Sequence, residues 1–375
     1  MARRVAILTN FLPYYRIPLY EALMPLLGDL RVFLSTRMER DRHWTVFWGK
    51  LDVVVQRSLT WTHNFRNVHG YRDSSQIHIP YDTFFQLRTY RPDAIISGEF
   101  GLRTFMSVLY GMAFPKTVLI VWATLSDRTE ATRGRFRVML RRWIVRRVDA
   151  VFVNGKSGAR YLASLGFTGP IITIPQVIDD TAFLGESTIA KDEALCLLYV
   201  GQLIERKGLH LFLLVMRQWC VDHPDRSILL RIAGDGPERA RLESVSLPPN
   251  LKIELLGDIV PNMLPAYYHS ASILAFPTLG DEWGLVVNEA LIAGVPVLGS
   301  VYSQAVEDLV REGENGWVFR PTDTRDTYNA LDRALTADRE TLGAMSLNAR
   351  ASIAELTPAA IAAKMANAIQ ALLQK

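Results

Sequence analysis

The sequence predicts a two-domain α/β protein with a doubly wound parallel sheet in each half. Short runs rich in Val, Ile and Leu alternate with helical stretches, which is the pattern of a parallel sheet covered on both faces. The alternation stops across a mostly polar segment, Ile171 to Ala194, and then starts again. The 375 residues are also more than one hydrophobic core usually serves.

In the first half the apolar runs are RVAILTN, LRVFLST, DAIISG, TVLIVWA, AVFVNG and IITIP. Each is short and closed by polar or turn residues, as buried strands are. Gln56 to Pro80 has weaker periodicity and reads as irregular or hairpin structure. In the second half the runs are LCLLYVG, SILLRIAG, LKIELLG, SILAFPT, PVLGS and GWVFRP. The expected boundaries are a first domain over 1–175, a linker over 176–194, a second domain over 195–355 and a last helix over 356–375 that crosses back to the first domain.

Composition excludes some classes. The chain is 49% hydrophobic and 21% charged, ordinary for a globular protein. Two cysteines, Cys196 and Cys220, make neither a disulfide framework nor a metal-ligand pattern. The most apolar window, Thr104 to Ala123, is long enough for a membrane span, but Pro115 and Lys116 divide it into a helix and a β-branched strand. The start, MARRVAILTNFLP, has too short an apolar stretch for a signal peptide and reads as a first strand.

The net charge is +4, and arginines concentrate between Arg128 and Asp149, with Phe136, Met139, Trp143 and Ile144 among them at helical spacing. A basic amphipathic helix over 135–147 has two readings: a solvated face of a packed surface helix, or a face resting on anionic lipid. No motif for nucleic acid is present.

Ligands of open parallel sheets bind beyond the carboxyl ends of the strands, so chemistry is expected in those loops. YVGQLIERKG places Gly201 at a strand end and Lys207 before a helix start, a combination suited to an anionic group but also common as a plain helix start. RIAGDGPERARLE lacks the third glycine of a dinucleotide fingerprint and reads as tight strand-to-helix packing. In SILAFPTLGDEWGLVVNEALIAG, Asp281 falls in the loop and Glu289 about one turn into a helix that Gly294 ends. The amides of Trp283, Gly284 and Leu285 open that helix. Glu289 in so apolar a helix calls for a partner: a sugar diol, or a backbone amide or arginine. Asp281 reads equally as an N-terminal cap.

Gly-x-L-x-x-x-Lys-Gly, Ala-Gly-x-Gly-Pro and acid-x-x-Gly-Leu-Val-x-x-Glu-Ala, in this order over Leu195 to Pro321, resemble the retaining glycosyltransferases of family 4, also called group 1. The likeness runs more loosely through Val151–Phe167 and the last helix. TNFLPYYRIPLYEAL also looks like openings seen in that family. The resemblance implies the GT-B fold, two Rossmann-like domains facing across a cleft, and transfer of a sugar from a nucleotide-diphosphate sugar to a saccharide or lipid-linked acceptor in surface polysaccharide or glycoconjugate synthesis. It implies no metal ion and no cofactor beyond the donor.

Carried onto this sequence, the family's catalytic roles fall on Lys207 and Asp281. Lys207 stands at the diphosphate, Asp281 at the donor sugar and Glu289 at the ribose hydroxyls. Gly201, Gln202, Arg206, Trp283, Gly284 and Leu285 complete the donor site. The sequence departs from the family in three ways. Gln202 replaces a usual arginine, which gives Arg206 its work. Asp281 replaces a glutamate. VWATLSDR lacks the usual histidine. Glu99, Asp127 and Arg16 are the candidates for the acceptor side. The resemblance and the basic helix together imply a cytoplasmic protein peripheral on the inner face of a membrane. Another GT-B enzyme, such as a nucleotide-sugar epimerase, and a non-catalytic sugar-nucleotide-binding protein remain as alternatives.

Overall fold

The computed structural model describes residues 3–39, 46–66, 72–130, 134–185 and 195–374. Among them are fifteen strands: β1 Arg4–Thr9, β2 Asp29–Leu34, β3 Asp52–Val55, β4 Ser58–Arg66, β5 Arg72–Pro80, β6 Ala94–Gly98, β7 Val118–Ala123, β8 Ala150–Val153, β9 Ile171–Thr173, β10 Leu195–Val200, β11 Ile228–Ala233, β12 Leu251–Gly257, β13 Ile273–Phe276, β14 Val297–Ser300 and β15 Gly316–Phe319. The chain forms two compact units. The first holds residues up to 179, apart from 67–72, together with 356–375; the second is built on 180–355.

The first unit carries a parallel seven-stranded sheet in the order β3-β2-β1-β6-β7-β8-β9. The order reverses between β1 and β6, and that reversal opens a crevice at the carboxyl ends of those strands. Alternate residues of the central strands feed two cores, one with Ile7, Ile96 and Trp122 and the other with Ala6, Leu8 and Val121. A sheet buried on both faces explains why these strands read as continuous apolar runs. The weakly periodic region is a two-stranded pair, β4 with β5. Strand β3 is an edge strand that the sequence pattern alone did not single out.

The apolar window divides as expected, into the helix Leu102–Ala113 and strand β7. The last helix, Pro358–Leu373, starts at Thr357, whose side chain accepts from the Ala360 amide. It buries Ile361, Ala362, Met365, Ala366 and Ile369 in the core that also contains Tyr20 and Leu23 of the helix Ile17–Leu27. Gln370 donates to the Leu26 carbonyl at 3.2 Å.

The second unit repeats the architecture with six parallel strands ordered β12-β11-β10-β13-β14-β15. Its reversal lies between β10 and β13. The interior of this unit is filled by Trp219, Phe212, Phe319 and Leu230 among others. Part of the expected linker, residues 186–194, lies outside the described residues.

The expected basic helix forms over Arg135–Val145, two residues shorter than expected; a one-turn helix, Asp127–Glu130, precedes it, and residues 131–133 lie outside the described residues. Arg141 also leaves the solvated face. It is 6% exposed and bonds Glu130, itself 5% exposed, at 2.5 Å, as well as the Tyr161 hydroxyl. A buried carboxylate demands such a partner, so one arginine of the series serves the core. The outer face keeps Phe136 and Met139, which are 75% and 60% exposed, beside exposed Arg135, Arg142, Arg146 and Arg147.

Candidate functional site

In the second unit, the loops after β10 and β13 lie together at the reversal point of the sheet. Leu279 donates its amide to the Arg206 carbonyl at 2.8 Å, and Thr278 reaches the same oxygen through its hydroxyl at 3.3 Å. This pairing sets Lys207 against Asp281. The Lys207 ammonium contacts the Asp281 carboxylate, and the two side chains are only 15% and 17% exposed. Arg206 donates to the Gly280 carbonyl at 3.0 Å and lies 3.7 Å from the other Asp281 oxygen. Both Arg206 and Lys207 thus face Asp281. The Phe276 ring, 5.5 Å from the Lys207 nitrogen, backs the pair.

The helix Leu285–Ala293 opens directly behind Asp281. Its N-cap is Gly284, with no side-chain cap, and the Asp281 carboxylate pairs with Lys207. Gly284 has φ of 106°, and a Cβ there would lie 2.7 Å from the Phe276 ring. Only glycine meets both conditions. The first amides of the helix have no intrahelical acceptor. The Trp283 indole is a core group: it is 2% exposed and donates to the Asn288 side chain at 2.8 Å. What Trp283 presents to a ligand is therefore backbone.

Glu289 stands one turn into this helix, and among the described residues neither a backbone amide nor an arginine holds it. Its partner is the Tyr268 hydroxyl, which donates to Oε2 at 2.7 Å. Burial pushes the Glu289 carboxyl up to about 7, against the lowering effect of that hydrogen bond. Tyr268 was missed by the sequence reading, since a single tyrosine in the short helix Leu264–His269 carries no pattern of its own.

Gly201 ends β10, and a Cβ there would come within 3.9 Å of the Lys207 side chain. Gln202 is exposed, and its carbonyl accepts from the Tyr199 hydroxyl at 2.9 Å. The Gly-Asp-Gly-Pro loop after β11 differs from the strand-to-helix packing expected of it. It packs on the neighbouring loop: Leu203 and Asp235 pair through their backbone at 2.9 Å, and a Cβ on Gly234 would fall 2.0 Å from the Gly201 carbonyl. Its glycines thereby support the loop that carries Lys207.

In the first unit, the three remaining candidates separate. Asp127 is occupied: it accepts from Ser157 at 2.5 Å and pairs with Arg160 at 2.7 Å. Although desolvation opposes it, those partners hold its carboxyl below the usual range. It is a structural pin. Glu99 directly follows β6, and Arg16 lies in the turn after β1, so both stand at the reversal point of that sheet. The Arg16 guanidinium lies over the Trp122 ring, 4.8 Å from its centre. Beside them Arg103, 6% exposed, donates to Ser35 at 3.1 Å and to Asn10. Desolvation lowers the Arg103 guanidinium to about 10. Among the described residues no group of three or more His, Cys, Asp or Glu is arranged to hold a metal ion.

Comparison with known proteins adds to this geometry. The profile of the family described as glycosyl transferases group 1 matches residues 182–352. An uncharacterized glycosyltransferase of Haemophilus influenzae is 30% identical over 161 residues, 42% of this chain and 44% of that protein. A putative colanic acid biosynthesis glycosyltransferase, WcaL of Salmonella typhimurium, is 28% identical over 221 residues, 56% of this chain and 54% of that protein. The matched stretches thus span about half the length of these curated relatives.

Two solved structures align over nearly the whole chain. HepE of Anabaena in complex with UDP has a TM-score of 0.73 at 15% identity, covering 98% of this chain and 100% of that one. Sucrose-phosphate synthase of Thermosynechococcus elongatus has a TM-score of 0.71 at 20% identity, covering 99% of each. Residues 182–352 thus resemble the glycosyl transferases group 1 family, and the chain has the GT-B fold of the solved structures it aligns with.

Proposed function

We propose that the chain is a retaining, metal-independent glycosyltransferase that moves a sugar from a nucleotide-diphosphate sugar to a saccharide or lipid-linked acceptor, in the synthesis of a surface polysaccharide or glycoconjugate. The observation that carries this reading is the convergence of Arg206, Lys207, Asp281 and the start of the helix Leu285–Ala293, with Glu289 one turn further on. Cations and free amides suit a diphosphate. A desolvated carboxylate one turn away suits the paired hydroxyls of a ribose. Solved relatives of the same fold are described with UDP or UDP-glucose, which favours a nucleotide sugar as donor.

In this reading the bond from the anomeric carbon to the leaving phosphate oxygen breaks, and the acceptor oxygen joins the same face of the sugar. The acceptor proton passes to the departing phosphate. Lys207, Arg206 and the amides of Trp283, Gly284 and Leu285 stabilise the charge that develops on that phosphate, as fixed electrostatics already in place. Asp281 holds the Lys207 ammonium until the donor arrives, then faces the donor sugar. The acceptor belongs to the first unit.

The helix Arg135–Val145 supports a membrane-peripheral location on the cytoplasmic face. Exposed Phe136 and Met139 among exposed arginines combine apolar insertion with attraction to anionic headgroups, about 1 kcal/mol per basic residue near the surface. Flotation with phosphatidylglycerol vesicles tests this part: Phe136→Glu with Met139→Glu should abolish binding, and equal flotation of the variant would reject it.

The transferase reading is tested by melting temperature against UDP, GDP, ADP, dTDP and their sugars, with magnesium and with EDTA. One nucleotide class should stabilise the protein by about 2.7 kcal/mol at a hundred times its Kd, equally with and without metal. No shift with any of them, or a shift only with metal, would overturn the corresponding part of the reading.

A further inference from the structure

At the carboxyl ends of β1, β6 and β7 in the first unit, enclosed polar atoms lack a hydrogen-bond partner among the described residues. The Trp122 Nε1 and Glu99 Oε2 are enclosed without such a partner, and the buried Arg16 guanidinium beside them interacts with the Tyr20 hydroxyl. They form one neighbourhood. Arg16 lies over Trp122, the Tyr20 and Trp122 ring centres are 6.4 Å apart, and the Glu99 amide bonds the Trp122 carbonyl at 2.9 Å. Enclosed polar groups without partners are rare because each costs the desolvation it never recovers. Two of them beside a buried guanidinium mark a place completed by something else.

Glu99 is held there against its own preference. Its φ is 61°, a left-handed conformation uncommon outside glycine. Four contacts fix it: its amide on Trp122, its carbonyl accepting from the Thr104 hydroxyl at 2.5 Å, and Oε1 accepting from both the amide and the hydroxyl of Thr124. Strain that the surroundings enforce this fully gathers at functional positions. The arrangement spends Oε1 and leaves Oε2.

We infer that Arg16, Glu99 and Trp122 form one acceptor subsite that takes an uncharged hydroxyl-bearing ring, a sugar or polyol, and not an anionic group. Arg16 and Trp122 offer donors, and Glu99 offers an acceptor. A hydroxyl answers both, since it donates and accepts. A phosphate or carboxylate only accepts, and it would set a second negative charge against Glu99 Oε2. Burial already raises the Glu99 carboxyl above its usual range, and a neighbouring anion would raise it further. The inference rests on the transferase reading for the word acceptor, while the hydroxyl chemistry of the site stands on the first unit alone.

Saturation-transfer NMR with methyl glycosides of glucose, galactose and mannose, and with glucose 1-phosphate, all at millimolar concentration, tests it. The proteins are the wild type, Glu99→Gln and Arg16→Gln. At least one neutral glycoside should bind wild type as well as or better than glucose 1-phosphate, and each substitution should weaken it at least tenfold. Preference for glucose 1-phosphate that Arg16→Gln removes would overturn the inference in favour of an anion site. Absence of glycoside binding, or binding indifferent to both substitutions, would also overturn it. Nucleotide-dependent melting of the same samples separates the two readings: a retained shift with no glycoside effect rejects the subsite alone, and a lost shift in wild type rejects the transferase.

Discussion

Lys207 and Asp281, 74 residues apart in the chain, meet as an ion pair at the carboxyl ends of adjacent strands β10 and β13. In the absence of a ligand each satisfies the other, so an incoming diphosphate competes with Asp281 for the ammonium. Lys207→Ala should weaken the preferred nucleoside diphosphate at least about tenfold, the scale of one charge-assisted contact. Asp281→Asn removes the competitor and should leave that affinity unchanged or tighter while sugar transfer falls. Calorimetric titration beside a transfer assay reads both; weaker diphosphate binding in Asp281→Asn would contradict the arrangement.

Glu289 predicts a pH dependence. Its carboxyl is raised to about 7 in the folded protein, so it gains its charge only as pH passes through that value. Nucleotide affinity that depends on this carboxylate should fall about tenfold per unit below pH 7, and Glu289→Gln should flatten the profile.

Folding stability follows the opposite sign. A raised carboxyl favours the folded state below its unfolded value, and that contribution is lost as pH rises through 7. Glu289→Gln should therefore be nearly neutral at about pH 4 and stabilising by about 1–3 kcal/mol at about pH 8. Urea denaturation at the two pH values measures it, and a substitution effect independent of pH would refute the assignment.

Gly284 and Gly343 predict opposite outcomes for one substitution. Gly284 has positive φ with the Phe276 ring in the way, so Gly284→Ala should cost about 2 kcal/mol or more and abolish nucleotide binding. Gly343 lies exposed inside the helix Arg339–Ile353 with open space where its Cβ would stand. Gly343→Ala should stabilise by about 0.5–1 kcal/mol. Thermal melting of both variants decides.

The Glu130–Arg141 pair sits under the basic helix. Arg141→Met should cost about 3–5 kcal/mol by stranding a buried carboxylate, and adding Glu130→Gln should restore much of it. A double variant no better than the single one would show that the charge pairing is not what matters there.

The two parallel sheets were readable because a strand buried on both faces has few ways to be written other than as an apolar run. The donor-side loops were readable because charge, glycine and helix starts coincide at Lys207 and Asp281. Tyr268 was not, since its role comes from a fold that brings a residue 21 positions upstream onto Glu289. Nor was the inward turn of Arg141, which depends on Glu130 arriving from the preceding turn. The left-handed backbone of Glu99 leaves no trace in SGEFG at all, because glutamate has no preference for it.

The helix Pro358–Leu373 closes the core of the unit that the chain began with. On a ribosome the order of completion is therefore inverted. The segment that finishes the first unit leaves the exit tunnel only after residues 180–355 have emerged and had time to fold. Until then the helix Ile17–Leu27 waits with an uncovered apolar face, and a nascent chain stalled before residue 356 is a natural client for chaperones that hold such faces.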